Sequence, residues 1–232
     1  AGPAMSMGSE FFDEEGNFNF ADGNDEGFRK FAEMQKGWLD NGLMPADIWG
    51  GQFTSGDQYF SNVQTVMYFS GSWQINRFAN DIGDAFDWIV APNPYGDGGS
   101  TGVAGGAGIV GYAQTEHPEE VAMIMEYLMT PEIYNEWSAR SLLIPANTGA
   151  IELGIEFQTD NPQVAAALNG FASEVPKLQY QAVALNPNEF AFAYYDSSNT
   201  RLAQYFAGEL TLDEMMERIH EDLDEARANA EA

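Results

Sequence analysis

At 232 residues, with 44% hydrophobic and 13% aromatic side chains, the chain is expected to fold around a real core, as one large domain or two small ones. Against 36 Asp and Glu stand only 9 Lys and Arg, a net charge of −27, which makes nucleic acid and anionic membrane surfaces poor partners; no apolar run is long enough to cross a bilayer. With no cysteine, disulfides, thiol nucleophiles and thiolate metal sites are excluded.

So acidic and lysine-poor a surface suits a high-salt or marine habitat, where screening weakens self-repulsion. An ordinary acidic exported protein is the simpler alternative. The opening AGPAMSMGSE has neither a basic n-region nor an apolar h-region, so no signal segment is expected within the chain.

In chain order, residues 8–20 (GSEFFDEEGNFNF) predict two short aromatic strands around a Glu-Gly-Asn turn. Residues 25–40 predict a helix with Phe28, Phe31, Ala32, Met34, Trp38 and Leu39 on its apolar face, stopped by Asn41-Gly42. A strand is expected over Thr65–Phe69, a helix over Gln74–Asn80 and a second strand over Phe86–Ala91. A glycine-dense crossing follows from Gly96 to Gly111. Helices are expected over His117–Met129, from Thr130 to just before Leu142, over Pro162–Asn169 with Gly170 as the stop, and from the capping box Thr211-x-x-Glu214 to Arg227. Strands alternating with helices imply an α/β chain.

The segment FSNVQTVMYFSGSW (60–73) carries the sharpest functional signal. Its strand ends at Ser70-Gly71-Ser72 and then presents Trp73, an indole among small residues that suits a flat ligand face. Other motifs read more plainly. Gly106-Ala107-Gly108-Ile109-Val110-Gly111 spells a nucleotide-loop pattern, but a strand rather than a helix is expected there. Asp22, Asn24, Glu26 and Glu33 approximate a calcium loop, yet they belong to the start of an amphipathic helix. His117 and His220 are the only histidines and stand apart from any ligand set, so neither a metal site nor a histidine-based triad is expected. Carboxylates are abundant, and a glycosidase-like pair remains open on counting alone.

The chain resembles the extracellular solute-binding proteins of sugar ABC transporters, the maltose-binding-protein-like family. The resemblance rests on segments that follow the family's order. These are DEEGN with FRKFAEMQKGWLDNGLMP, then FSNVQTVMYFSGSW, WIVAPNPYG, GGAGIVGY with HPEEVAMIMEYLMTPE, LLIPANTG, and RLAQYFAGELTLDEMMERIHEDLDEA. Val63 and Val66 stand where the family usually has glycine and alanine in a strand.

The resemblance implies a periplasmic-binding-protein-like fold of two lobes with the ligand in the cleft, and with most of the first lobe absent from this chain. Residues 1–103 would form most of the second lobe, 104–158 would cross back to the first, and 159–232 would return to the second. It implies a sugar or polyol receptor that delivers its ligand to the transmembrane permease subunits of an ABC importer. Such a receptor is periplasmic or on the cell surface, carries no cofactor and breaks no bond. It places ligand contact at Trp73, at Tyr195 or adjacent Tyr194 upstream of Gly208, at the double glycine Gly105-Gly106, and at Ser72. For the aromatics core packing is the plainer reading, and for the glycines a flexible turn. The rival functions are a carbohydrate-active hydrolase with paired carboxylates and an acidic interaction module without a ligand.

Overall fold

The computed structural model describes residues 1–21, 23–45, 47–48, 55–106 and 108–230. Its α-helices are α1 (Gly2–Ser6), α2 (Glu26–Asp40), α3 (Ser55–Ser61), α4 (Ile75–Ile82), α5 (Pro118–Leu128), α6 (Pro131–Ser141), α7 (Thr148–Glu152), α8 (Pro162–Glu174), α9 (Tyr180–Ala184), α10 (Ala191–Phe206) and α11 (Leu212–Ala230). They fall into two compact units. One holds residues 1–68, 92–104 and 177–232, the other 69–91 and 105–176.

The first unit is built on aromatic packing. Phe11 stacks on Phe20 at 4.8 Å, and Tyr194 meets both edge-on, at 5.0 and 5.2 Å. Phe28 and Ala32 of α2, Leu202 of α10 and Met215, Met216, Ile219 and Leu223 of α11 close the same core. The apolar faces of α10 and α11 recur at helical spacing, which is why these helices pack along their length. Asp222 of α11 ties the pair together: its carboxylate accepts from Arg201 Nε and Nη2, both at 3.1 Å, and from Ser197 Oγ at 2.6 Å.

The termini of these helices follow their caps. In α2 the amides of Asn41, Gly42 and Leu43 donate to Gly37, Leu39 and Trp38, closing the helix where Asn41-Gly42 was expected to stop it. Ahead of α11, Thr211 N–H donates to Glu214 Oε2 at 2.8 Å while Glu214 N–H donates back to Thr211 Oγ1 at 3.3 Å. That is the reciprocal box foreseen from Thr211-x-x-Glu214.

The second unit packs α4 against α8. Ile75, Phe78 and Ile82 are buried with Val164, Ala167 and Leu168, and Phe78 meets Trp88 edge-on at 6.0 Å. Gln163 Nε2 donates to the Trp88 carbonyl at 2.9 Å, and Asn161 caps α8 by accepting from the amides of Gln163 and Val164. Elsewhere in this unit Asn135 of α6 donates to the carbonyls of Ala150 and Gly154, joining α6 to α7.

The α/β expectation is met only on its helical side. Among the described residues there is no strand, and β pairing is confined to the isolated antiparallel bridges Phe12–Phe18 and Gly96–Gly99. The aromatic hairpin of residues 8–20 shrinks to the first of these bridges. Thr65–Phe69 and Phe86–Ala91 are irregular, with Val66 89% and Ile89 86% exposed. Apolar, β-branched composition supplies a willingness to pair, but a strand exists only when a neighbour completes its ladder. Val63 does not lie inside a strand either; it ends α3 in a left-handed conformation, φ 59°. Helix α8 runs through Gly170 to Glu174 rather than stopping there. One interior glycine costs a helix only about 1 kcal/mol, which the packing of α8 outweighs.

Candidate functional site

Trp73 sits in a single turn of 3-10 helix, Ser72–Gln74, which leads directly into α4. Gly71 precedes it with extended backbone, and Gln74 N–H donates to the Gly71 carbonyl at 3.1 Å. The indole folds back over residue 71 so closely that a Cβ there would fall 2.0 Å from Cζ3 of the ring. Only glycine permits that approach, so the Gly-Ser-Trp spelling has a steric cause. Beneath the turn, Ile75 is 2% exposed and anchors α4 in the core, whereas Trp73 itself is 63% exposed. The result is an indole folded over Gly71 with most of its surface facing water.

Ser72 shares this turn and is half-buried. Gly105 and Gly106 belong to the same unit and are exposed, and a Cβ on Gly106 would meet nothing within 4 Å. Close packing within this unit therefore does not require glycine at 106.

The two tyrosines part company. Tyr194 is 1% exposed at the centre of the aromatic core, where burial first and neighbouring Tyr195 second push its phenol far above the ordinary value. That is the core-packing alternative for this residue, and no surface is left for ligand contact. Tyr195, one helical step on, is half-buried, and burial raises its phenol as well. Its hydroxyl donates to Asn186 Oδ1 at 3.0 Å, and Asn186 Nδ2 donates in turn to the Ala104 carbonyl. Asn186 thus links the Tyr195 ring to the residue that precedes Gly105 in the chain. Nothing in its own context, Leu185-Asn186-Pro187, signals that role.

Other candidates resolve individually. Asp22 and Ala107 lie outside the described residues. Of the remaining acidic loop, Asn24 donates to the Asn19 carbonyl and Glu26 pairs with Lys30 across one turn of α2. No helix opens at Gly111; α5 begins at Pro118, so the glycine pattern lacks the helix terminus that a dinucleotide loop needs. His117 is exposed beside Glu120, and His220 lies 3.4 Å from Asp25. Among the described residues no group of three or more His, Cys, Asp or Glu side chains is placed to hold a metal ion, and no helix is long and apolar enough to cross a membrane. An open hollow of about 620 Å³ in the first unit is bordered by Glu10, Phe12, Asp13, Glu14, Glu15 and Tyr180. Hydrogen bonds from the side chain and then the backbone of Asn17 hold the Asp13 carboxyl below its usual range.

Comparison with known proteins supplies the context for this geometry. The family model described as bacterial extracellular solute-binding protein matches residues 1–166. A search of curated proteins finds no match. Among solved structures, the chain is similar to a crystal structure assigned as an oligosaccharide periplasmic-binding protein from Synechococcus sp. MITs9220, with a TM-score of 0.72 at 15% identity. The similarity covers 98% of this chain but only 58% of that one.

Proposed function

Because the chain belongs to the bacterial extracellular solute-binding proteins, we propose that it is the ligand-capturing subunit of an ABC importer, taking up a sugar or related polyol outside the cytoplasm and handing it to membrane permease subunits. The observation that carries this reading is the indole of Trp73, folded over Gly71 and 63% exposed. Pyranose C–H faces pack well on such a ring, while hydroxyls at its rim take hydrogen bonds, for which Ser72 is the nearest candidate in sequence.

In this reading Tyr195 supplies a second aromatic contact and Gly105-Gly106 lets the backbone approach the ligand. Tyr194 has no part in it, being enclosed in the core. No bond is made or broken, and the work is done by unequal ligand affinity of open and closed states.

Calorimetric titration against a panel of mono- and oligosaccharides tests the proposal. Binding to one sugar, lost in Trp73→Ala with folding intact, is the expected result. Because the chain spans 58% of the matched structure, affinity is expected to be weak. Unchanged binding in Trp73→Ala overturns the stacking role.

A further inference from the structure

His220 joins two helices that lie far apart in sequence. Its ring, on α11, sits edge-on to Phe20 at 6.0 Å, and its Nε2 lies 3.4 Å from Oδ2 of Asp25, the residue at the N-cap of α2. That carboxylate is enclosed, with 4% of its side chain exposed, and the His220 side chain is only 19% exposed. Arg29 Nε donates to the same Oδ2 at 3.1 Å and its Nη1 donates to Asp213 at 2.7 Å, so one guanidinium is shared between two carboxylates. Part of the Asp25 charge is left unbalanced, and the imidazole is placed to meet it. At 3.4 Å the contact is longer than an ordinary N–H···O bond, so its strength comes from charge and needs a protonated ring.

We propose that His220 and Asp25 form a proton-operated latch that fastens α11 to the start of α2. The groups around the imidazole favour its charged form. Asp25 is nearest, Asp213 lies beyond Arg29 and is exposed, and Glu217 and Asp224 stand one turn to either side on α11. Arg29 opposes from α2, and so does Arg227, whose Nη2 donates to the Phe20 carbonyl at 3.4 Å. Both are already committed, Arg29 to its two carboxylates and Arg227 to Asp224 at 2.7 Å. Tyr194 of α10 packs on the same Phe20 and stays neutral, because burial holds its phenol far above the ordinary value. The net charge of −27 adds a field of the same sign as Asp25.

A histidine held charged by its partner contributes stability that is full below the unfolded-chain value of about 6.5 and is lost as pH rises through the folded value. The latch therefore tightens on acidification through the neutral range and loosens on the alkaline side. With two histidines in the chain, NMR titration resolves both imidazoles, and His117→Gln identifies the one that remains. The His220 ring is expected to keep its proton above the ordinary value of about 6.5 and to lose about ten-fold in proton affinity in Asp25→Asn. In urea, the unfolding constant of the unsubstituted protein relative to that of His220→Gln should fall about ten-fold from pH 8.5 to pH 5.5.

An imidazole that titrates at or below the ordinary value overturns the latch. So does one that Asp25→Asn leaves unmoved, or a ratio of unfolding constants that is the same at both pH values. Where His220→Gln does not fold, the titration of the unsubstituted protein decides alone. None of these measurements reads sugar binding, so the receptor proposal stands or falls separately on Trp73.

Discussion

The backbone amide of Gln64 donates to the carbonyl of Tyr59 at 2.8 Å, and Val63 between them donates to Phe60 at 3.0 Å. This pair of bonds closes the end of α3 and holds Val63 at φ 59°. A β-branched side chain in the left-handed region is strained, by about 1–2 kcal/mol relative to glycine. The resemblance puts glycine at this very position, so the helix-closing geometry gives that glycine a reason. Val63→Gly is therefore expected to stabilise the protein by about 1 kcal/mol, allowing for the greater freedom of glycine in the unfolded chain. Urea unfolding at neutral pH checks this; a lower midpoint would show that Val63 packing outweighs its backbone strain.

Gly71 and Trp73 form a second steric pair. Adding one methyl group in Gly71→Ala would bring Cβ to 2.0 Å from the indole, so the ring must swing away from its seat. The loop is exposed and α4 is anchored separately by Ile75, so the unfolding midpoint should change by less than about 1 kcal/mol. Sugar binding, if it uses this ring, should fall about as far as in Trp73→Ala, on the order of ten-fold or more. Full binding in Gly71→Ala would mean that the observed seat of the indole is irrelevant to the ligand.

What was legible beforehand was whatever short-range chemistry controls. Thr211 and Glu214 close on each other because both partners of the box lie within one turn, and α2 ends at Asn41-Gly42 for the same local reason. The strands expected at Thr65–Phe69 and Phe86–Ala91 depended on distant neighbours, which composition does not report. Gly170 signals a stop by residue type alone, whereas the core that α8 shares with α4 carries the helix past it. Tyr194 and Tyr195 are adjacent letters about 100° apart around one helix, and only the packing of Phe11 and Phe20 decides which is enclosed. Asn186 was illegible because its partners, Ala104 and Tyr195, meet it only through the fold.

The Asp222–Arg201–Ser197 cluster predicts a pH dependence. Burial pushes the Asp222 carboxyl up, but hydrogen bonds from Arg201 and Ser197 pull it down further, so its folded value lies below that of the unfolded chain. A depressed carboxylate contributes stability that is present above its unfolded value of about 4 and is lost as pH falls through the lower folded value. Asp222→Asn should thus cost about 1–2 kcal/mol at pH 7, partly through an unpaired Arg201, and progressively less below about pH 4. Urea midpoints of the two proteins that stay equally far apart at pH 7 and pH 3 would contradict the assignment.

Tyr195 predicts a different balance of effects. Its hydroxyl meets Asn186, which also holds the Ala104 carbonyl, so Tyr195→Phe removes one partly exposed hydrogen bond and keeps the ring. That change should cost about 0.5–1 kcal/mol of stability and leave any stacking on the ring in place. Asn186→Ala releases both the ring and the carbonyl, and should weaken sugar binding more than Tyr195→Phe does. Equal binding losses in the two variants would assign the effect to the hydroxyl rather than to the positioning of the ring.

Salt is the remaining lever, because repulsion among carboxylates is the largest unbalanced charge term in the folded chain. With a net charge of −27, crowding of like charges opposes compaction, and screening relieves it. Several ion pairs among the described residues join exposed partners, as in Arg140–Glu136 and Arg218–Glu221, and salt costs little stability by weakening these. Raising potassium chloride from about 0.1 M, where the screening length is about 10 Å, toward 1 M, where it is about 3 Å, should therefore raise the thermal midpoint. The rise should be steepest at low salt, where screening changes fastest, and it should persist when chloride is replaced by another weakly binding anion. A midpoint that falls or stays flat across that range would mean the acidic surface is already spaced widely enough to carry its charge, and the high-salt reading of the composition would have to be abandoned.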